Sequence, residues 1–258
     1  MAKRKRKTVN KSKKKPETLY FRGLIIVFIG IAGYAFYLYV RNKIYEARSE
    51  VAKEKIVRTI PYGFSSFGID ISHHQGEIDW EELISEQGYD TIIHFVYCKT
   101  TEGTDHLDTK WYHNRKHLKR LDVPNGAYHF FRNSDPITQA DFFLKHWIHR
   151  TEDLPPMLDV EYECANNPEL ISDMRTWLKH VEEKTGMRPV IYTSLHLYET
   201  KFQEDLLDYK FWVASYSRRP EQLDTDDRII HWQFSSDGHL PGIDHRIDMN
   251  VSKILIQQ

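Results

Sequence analysis

Cysteine is scarce in this chain of 258 residues, which contains only Cys98 and Cys164. Two cysteines can form one disulfide bond or none, and no C-x-x-C pair or zinc-ligand spacing accompanies them. A small fold stapled by several disulfides and a zinc-finger fold are therefore excluded. We predict that both cysteines are buried free thiols that pack as small apolar groups.

Net charge is almost absent as well, at −1 for the whole chain, but the charges are distributed unevenly. The first 22 residues contain Glu17 as their only acid beside a cluster of basic residues: Lys3, Arg4, Lys5, Arg6, Lys7, Lys11, Lys13, Lys14, Lys15 and Arg22. The remainder of the chain is consequently acidic. This argues against a nucleic acid as the main partner.

Long hydrophobic runs are missing except for one, GLIIVFIGIAGYAFYLYV at residues 23–40. A helix of this length, about 18 residues, just spans the hydrocarbon core of a bilayer. The alternative is a cleaved signal peptide, but the run exceeds the usual apolar length and no small-x-small cleavage site follows it. We predict an uncleaved single-pass signal anchor. The basic residues 1–22 then form a cytoplasmic tail, and everything after Val40 lies outside the membrane.

The remaining chain divides into a helical stalk or linker at residues 41–64 and one folded domain at residues 65–258. Apolar strand patterns and helical patterns alternate along this domain. The predicted strands are 67–71, 91–99, 125–131, 156–161, 190–192, 211–215 and 229–234, and the predicted helices are 78–87, 109–121, 137–149 and 168–184. Alternation of this kind indicates a parallel α/β sheet, open or closed into a barrel, with functional residues at the carboxyl ends of the strands.

Four acids follow or end apolar segments and are candidates for chemistry. Asp70 follows FGI, Asp159 and Glu161 close PPMLDVE, and Asp248 lies in RIDMN. Residues i and i+2 of a strand point to the same face, so Asp159 and Glu161 present two carboxylates side by side. Glycoside hydrolysis uses such a pair, one as a proton donor and one to stabilise positive charge at the sugar carbon. A solvated strand end would show the same D-x-E pattern.

Aromatic and polar residues near the predicted strand ends are candidates for sugar binding. Sugar rings stack on aromatic faces, while their hydroxyls need polar partners. The predicted substrate-binding residues are Tyr128, Tyr192, Trp212, Tyr216, Trp232, Gln233 and His129. Ordinary core packing is the alternative for each ring taken singly.

A metal site is the remaining possibility, because His73 and His74 lie close to Asp70 in the sequence. No H-x-x-x-H or H-E-x-x-H spacing supports it, and adjacent histidines in an extended loop tend to point apart. We predict that these histidines form hydrogen bonds and hold no metal.

Seven segments carry a resemblance to a known family. They are GIDISHHQGEIDW, FVYCKTTEGTDHLD, GAYHFFRNSDPITQADFF, PPMLDVEY, PVIYTS, FWVASY and WQFSS…GIDHRIDMNV, in the order found in glycoside hydrolase family 25. The sequence thus resembles the Chalaropsis-type and phage-type lysozymes from Phe67 to Ile254. The resemblance implies an irregular TIM-like barrel of five β/α units and three further strands, with no cofactor.

The resemblance also implies an activity and residue roles. The activity is hydrolysis of the β-1,4 bond between N-acetylmuramic acid and N-acetylglucosamine in peptidoglycan. Glu161 matches the general acid/base, Asp159 its partner as nucleophile or acetamido-orienting carboxylate, and Asp70 and Asp248 the other two acids. We expect a monomer anchored in the bacterial inner membrane, with its catalytic domain on the extracytoplasmic side. The alternatives are a glycan-binding module without activity and a metal-dependent cell-wall amidase or deacetylase.

Overall fold

The structure is a computed structural model that describes residues 16–57, 63–84, 93–161, 164, 167–217, 223, 226–254 and 256. The chain divides into two compact units, Met1–Arg48 and Ser49–Gln258. The first contains most of one long helix, and the second contains the folded domain.

The N-terminal helix α1 runs from Pro16 to Val57. Its stretch Leu24–Ile44 is long and apolar enough to cross a membrane or to serve as a signal sequence, and none of it is buried. Large side chains such as Phe28 are more than half exposed, as expected of a helix that faces lipid. The helix covers the predicted anchor 23–40 and continues into the predicted stalk. Residues 1–15 and 58–62 lie outside the described residues, so the boundaries of the tail and the linker stay predictions.

The domain is a closed eight-stranded barrel. Its strands are β1 Ser66–Ile71, β2 Phe95–Glu102, β4 Asn125–Phe130, β5 Met157–Asp159, β6 Val190–Ser194, β7 Lys210–Ala214, β8 Ile229–Gly238 and β9 Ile247–Ser252, and a two-residue strand β3, His106–Leu107, pairs with the end of β2. The order around the barrel is β1-β9-β8-β7-β6-β5-β4-β2, and pairing of β1 with β2 closes it. Among the described strands of the barrel, β9 alone runs antiparallel to its two neighbours.

A helix follows each of the five barrel strands β1, β2, β4, β5 and β6. The helix that belongs to β2 comes after the short strand β3. The helices are α2 Trp80–Ile84, α3 Trp111–Arg120, α4 Pro136–His146, α5 Leu170–Thr185 and the short α6 Leu195–Leu197, which continues as a π-helical turn Tyr198–Phe202. The strands β7, β8 and β9 then follow one another with no comparable helix among the described residues between them. The predicted arrangement of five β/α units and three strands is therefore confirmed.

The predicted elements match the structure with local differences. The predicted helix 137–149 ends at His146, because Trp147 adopts an extended backbone conformation. The predicted helix 78–87 begins at Trp80, and residues 85–87 lie outside the described residues. Strand β9 was not predicted, because Asp248 and Asn250 interrupt the apolar pattern that marks the other strands.

Two apolar cores hold the barrel together. The larger one lies between the strands and the helices, and the smaller one fills the barrel interior with aromatic side chains. Two inward-facing glycines make room for these rings. A Cβ atom on Gly68 would lie 2.5 Å from the Phe95 ring, and one on Gly126 would lie 2.3 Å from the Tyr97 ring. Because side chains fill its interior, the barrel is a packed core and not a pore, and polar groups can be placed above that core.

Both cysteines are buried free thiols, as predicted. Cys98 belongs to β2, and burial raises the pKa of its thiol. Cys164 lies after β5, where its thiol contacts the carbonyl oxygen of Phe131 at 3.3 Å. Neither thiol has the electropositive, exposed surroundings of a reactive cysteine.

Candidate active site

The four candidate acids converge at one end of the barrel. Asp70 lies near the end of β1 and pairs across the sheet with Asp248 of β9. Because β9 is antiparallel to β1, its beginning lies at the same rim as the carboxyl ends of the other strands. Asp159 is the last residue of β5, and Glu161 follows two residues later. All four line a cleft of about 380 Å³.

The D-x-E segment places its two carboxylates in different surroundings. Asp159 is 6% exposed, whereas Glu161 is exposed at the mouth of the cleft. Val160 between them is fully buried on the outer side of the barrel, and its N–H donates to the carbonyl of Tyr192 at 2.9 Å. This contact keeps the chain beside β6 for one residue after the strand ends. Asp159 and Glu161 therefore face the same cleft, as the alternation predicted.

A hydrogen-bond network fixes Asp70. The indole N–H of Trp212 donates to Oδ1 of Asn250 at 2.9 Å, and because an indole can only donate, the Nδ2 of Asn250 must face the other way. It donates to Oδ2 of Asp70 at 2.8 Å, and Nε2 of Gln233 donates to the same oxygen at 2.9 Å. Tyr192 in turn donates to Oε1 of Gln233 at 2.9 Å. The network presents Asp70 as an acceptor, which favours its ionised form.

Crowding of the acids perturbs their proton affinities. Burial, followed by repulsion from Glu161 and Asp70, raises the pKa of Asp159 well above its usual value. Partial burial also raises the pKa of Glu161, although the positive charges of Lys99 and Arg132 oppose this. For Asp70, burial outweighs the hydrogen bonds from Asn250 and Gln233, so its pKa is raised too. The carboxyl groups of this cleft therefore keep their protons to higher pH than ordinary carboxylic acids do, which favours proton donation.

Burial, with repulsion from Asp70 and Glu161, raises the pKa of Asp248 to about 8. Since the folded state then binds a proton that the unfolded state releases, stability falls as the pH rises from about 4 to about 8. We expect Asp248→Asn to remove this slope and to stabilise the domain by ~1–2 kcal/mol at pH 8, a figure reduced for coupling among the acids. Urea unfolding at pH 5 and pH 8 measures it. An equal gain at both pH values would contradict the shifted titration of Asp248.

Four of the seven predicted substrate-binding residues line the cleft: Tyr128, Tyr192, Tyr216 and Gln233. Tyr216 is 58% exposed, and its hydroxyl donates to Oε1 of Gln233 at 2.6 Å. These residues combine aromatic faces with polar groups, as sugar binding requires.

The other three predicted side chains do not line this cleft. His129 faces outward from β4, is fully buried, and bonds Thr101 at 2.8 Å and Gln139 at 3.2 Å through its ring nitrogens. Trp232 also faces outward, where its indole N–H donates to the carbonyl of Ser215. Trp212 faces inward but is fully buried below the cleft, where it orients Asn250.

An ionic cluster beside the acids was not predicted. Lys99 lines the cleft, and its Nζ lies 2.5 Å from Oε2 of Glu102. Arg132 donates to the other oxygen of Glu102, from Nε at 2.9 Å and from a terminal nitrogen at 2.6 Å. The sequence signal was a lysine inside the strand segment FVYCK, since lysine is almost never fully buried unless it is paired.

The histidines do not form the metal site considered above. Nδ1 of the His73 ring forms a hydrogen bond with Oδ2 of Asp108 at 2.8 Å. Oδ2 of Asp70 accepts hydrogen bonds from the side-chain amides of Gln233 and Asn250. The rings of His73 and His74 do not point apart, because a 3-10 turn places their centroids 4.0 Å apart. Among the described residues, no group of three or more His, Cys, Asp or Glu is arranged to hold a metal ion.

A second cleft of about 500 Å³ adjoins the first. Glu161, Tyr192 and Tyr216 border both clefts, so Glu161 stands at their junction. The remaining lining of the second cleft contains no aspartate but several polar side chains, Ser194, His196, Glu199, Ser215 and Ser217. The two clefts together form a groove that has Glu161, Tyr192 and Tyr216 at its middle.

Comparisons with known proteins support a single family. The profile of glycosyl hydrolases family 25 matches residues 69–243. The chain is 33% identical to protein YegX of Escherichia coli K12 over 195 residues, 74% of this chain and 71% of that protein. It is 30% identical to lysozyme M1 of Streptomyces globisporus, covering 71% of this chain and 66% of that protein. The structure of a family 25 glycosyl hydrolase from Bacillus anthracis superimposes with a TM-score of 0.66 at 26% identity, covering 74% of this chain and 90% of that one.

Proposed function

Because the chain belongs to glycosyl hydrolases family 25, we propose that it is an N-acetylmuramidase with Glu161 as its proton donor. Its substrate is the β-1,4 bond between N-acetylmuramic acid and N-acetylglucosamine in peptidoglycan, in keeping with the similarity to lysozyme M1. The observation that carries the proposal is the asymmetric carboxyl pair, buried Asp159 and exposed Glu161, in one cleft.

Glu161 supplies and recovers the proton. It reaches solvent at the junction of the two clefts, where a glycosidic oxygen of a strand lying in the groove can approach it. Its raised pKa keeps the carboxyl group protonated closer to neutral pH than an ordinary glutamate. Glu161 gives this proton to the leaving oxygen as the C1–O bond breaks. It later takes a proton from the water that adds to C1, so the same residue acts as acid and then as base.

Asp159 orients the substrate's own nucleophile. Its Oδ1 is buried and has no hydrogen-bond partner among the described residues, although a buried acceptor without a partner is unfavourable. The N–H of the 2-acetamido group of the sugar supplies the missing donor. The acetamido oxygen then attacks C1 as the glycosidic bond breaks, and the Asp159 carboxylate stabilises the positive charge of the cyclic intermediate. Substrate-assisted hydrolysis of this kind is a known alternative to direct carboxylate attack.

The charges of the two clefts set the direction of the glycan. Positive charge develops on the sugar whose C1 reacts, so this sugar belongs in the cleft lined by Asp70, Asp159 and Asp248. The leaving oxygen lies on the Glu161 side. The sugar released with it therefore occupies the second cleft, whose serines, His196 and Glu199 can bond its hydroxyl groups.

The chain acts close to a bacterial cytoplasmic membrane. Helix α1 contains the apolar stretch Leu24–Ile44, and basic residues precede it in the sequence. The excess of lysine and arginine on that side favours a cytoplasmic N-terminus, which leaves the barrel outside the membrane as an anchored monomer.

The experiment that tests the activity is mass spectrometry of fragments released from purified peptidoglycan by the full chain in detergent micelles. Fragments that end in reducing N-acetylmuramic acid are the expected result. Reducing N-acetylglucosamine ends would show cleavage of the other glycosidic bond, and free stem peptides would show an amidase. Binding to peptidoglycan without release of fragments would indicate a glycan-binding module without activity. Any of these three outcomes overturns the muramidase proposal.

A further inference from the structure

The ionic cluster of Lys99, Glu102 and Arg132 connects two strand ends at the rim of the acid-lined cleft. Lys99 and Glu102 belong to β2, and Arg132 lies after β4. Both cations contact Glu102, and both lie over the ring of Phe130, with Nζ of Lys99 at 4.7 Å and the guanidinium carbon of Arg132 at 4.5 Å from its centroid. The carboxylate and the ring together hold the two cations in place.

Lys99 is unusual among the three because it is buried. It is 7% exposed, whereas the Arg132 side chain is 38% exposed. Among the described residues that line the acid cleft, Lys99 is the only lysine or arginine. Burial of an ammonium group is unfavourable unless opposite charges surround it. Glu102 supplies one such charge, and the acids of the cleft supply the others.

We propose that Lys99, clamped by Glu102, is a positioning residue for the catalytic pair: its ammonium opposes the negative charge of Asp159 and Glu161, and Glu102 limits that effect. Without Lys99, no lysine or arginine among the described residues lines the acid cleft, so Asp159 ionises less readily beside its acidic neighbours. Without Glu102, the full positive charge of Lys99 acts on Asp159. The pair Lys99–Glu102 thus sets the pH range in which Asp159 and Glu161, titrating as a coupled pair, together hold one proton. This inference rests on the proposed roles of Asp159 and Glu161.

The effects of Lys99 and Glu102 on the pKa values of the catalytic pair have the directions that this arrangement requires. Lys99 lowers the pKa of both Asp159 and Glu161, and Glu102 raises that of Asp159. The other charged or titratable described groups that line the two clefts or act on the pair are Asp70 of β1, His74 of the 3-10 turn, Tyr128 of β4, Arg132, Tyr192 of β6, His196 of α6, Glu199 of the π-helical turn, Tyr216 after β7 and Asp248 of β9. In the part of the chain that the structure describes, Lys99 is the one buried lysine or arginine that faces the pair.

The test is the pH dependence of kcat/KM for peptidoglycan hydrolysis, measured on the full chain in detergent micelles. The acidic limb reports the first ionisation of the coupled pair Asp159 and Glu161, and the alkaline limb reports the loss of its second proton. Lys99→Met removes a positive charge, so we expect both limbs to move to higher pH, by on the order of one unit. Glu102→Gln removes a negative charge, so we expect the acidic limb to move to lower pH. The double variant should lie between the two single variants, close to the wild type.

Controls separate this electrostatic role from structural damage. Glu182 and Arg188 form an ion pair between the end of α5 and the start of β6, at the opposite end of the barrel. Glu182→Gln and Arg188→Gln should leave both limbs unchanged. If circular dichroism shows that Lys99→Met does not fold, the pH dependence of Glu102→Gln alone tests the inference. Shifts of both single variants in the same direction, or lower activity with unmoved limbs, would overturn the inference. Retained activity of Glu161→Gln would instead overturn the proposed function.

Discussion

Replacing Glu161 with glutamine is expected to lower the rate of peptidoglycan hydrolysis by roughly 10²–10⁴-fold. Glutamine has nearly the same shape as glutamic acid but has no acidic proton to give. The leaving oxygen would then depart as an alkoxide, a far poorer leaving group than an alcohol. Glu161 is exposed at the mouth of the cleft, and its side chain forms no hydrogen bond or ion pair with the described residues, so the loss should fall on catalysis.

Two measurements make this result specific. Turbidity loss of a peptidoglycan suspension reports the rate, and co-sedimentation with the same peptidoglycan reports binding, which should stay near the wild-type level. Glu81→Gln is the matched control, since Glu81 is an exposed glutamate that pairs with Arg120 away from the cleft. Glu161→Gln with full lytic activity would rule out Glu161 as the proton donor.

Asp159→Asn is expected to lower the same rate by roughly 10²–10³-fold, for a different reason. The asparagine can still accept a hydrogen bond from an acetamido N–H, but it has no negative charge to stabilise the positively charged intermediate. The substitution should not destabilise the domain. Burial and neighbouring acids raise the pKa of Asp159, so a neutral amide suits the position at least as well as a carboxylate.

The measurement pairs kinetics with thermal unfolding, and a wild-type or higher Tm should accompany the lost activity. A second experiment distinguishes the two possible roles of Asp159. We expect a thiazoline analogue of N-acetylmuramic acid, which mimics the cyclic intermediate, to inhibit the wild type and to bind Asp159→Asn more weakly. A covalent adduct of a slow substrate on Asp159, detected by mass spectrometry, would contradict the orienting role and identify Asp159 as the nucleophile. An active Asp159→Asn would contradict both roles.

Much of the site followed from the order of residues along the chain. Alternating strand and helix patterns predicted a parallel α/β architecture, and parallel strands place their carboxyl ends at one rim. Asp70, Asp159 and Glu161 lie at the ends of such strands, so their convergence could be expected. The apolar stretch and the basic residues before it were equally visible, because length and charge alone decide whether a helix can span a bilayer.

Whether an individual side chain points into the barrel or toward the helices was harder to predict. His129, Trp212 and Trp232 were predicted to bind sugar, yet none lines the cleft. Strands of a closed barrel are buried on both faces, so the apolar pattern does not distinguish the interior from the helix-covered exterior. His129 illustrates the difficulty, since its neighbour Tyr128 faces the cleft while His129 itself faces the helices.

The sequence by itself determined the family, the barrel and the local D-x-E pair, because these depend on short-range pattern and on blocks of residues read in order. Only the tertiary structure decided which distant groups meet that pair. Asp248 lies beside Asp70 because β9 runs antiparallel to β1, and no local sequence pattern predicts this reversal of direction. Lys99 lies beside Asp159 and Glu161 because closure of the barrel brings β2 and β5 to one rim, and the charge that an acid feels depends on its neighbours in space rather than along the chain.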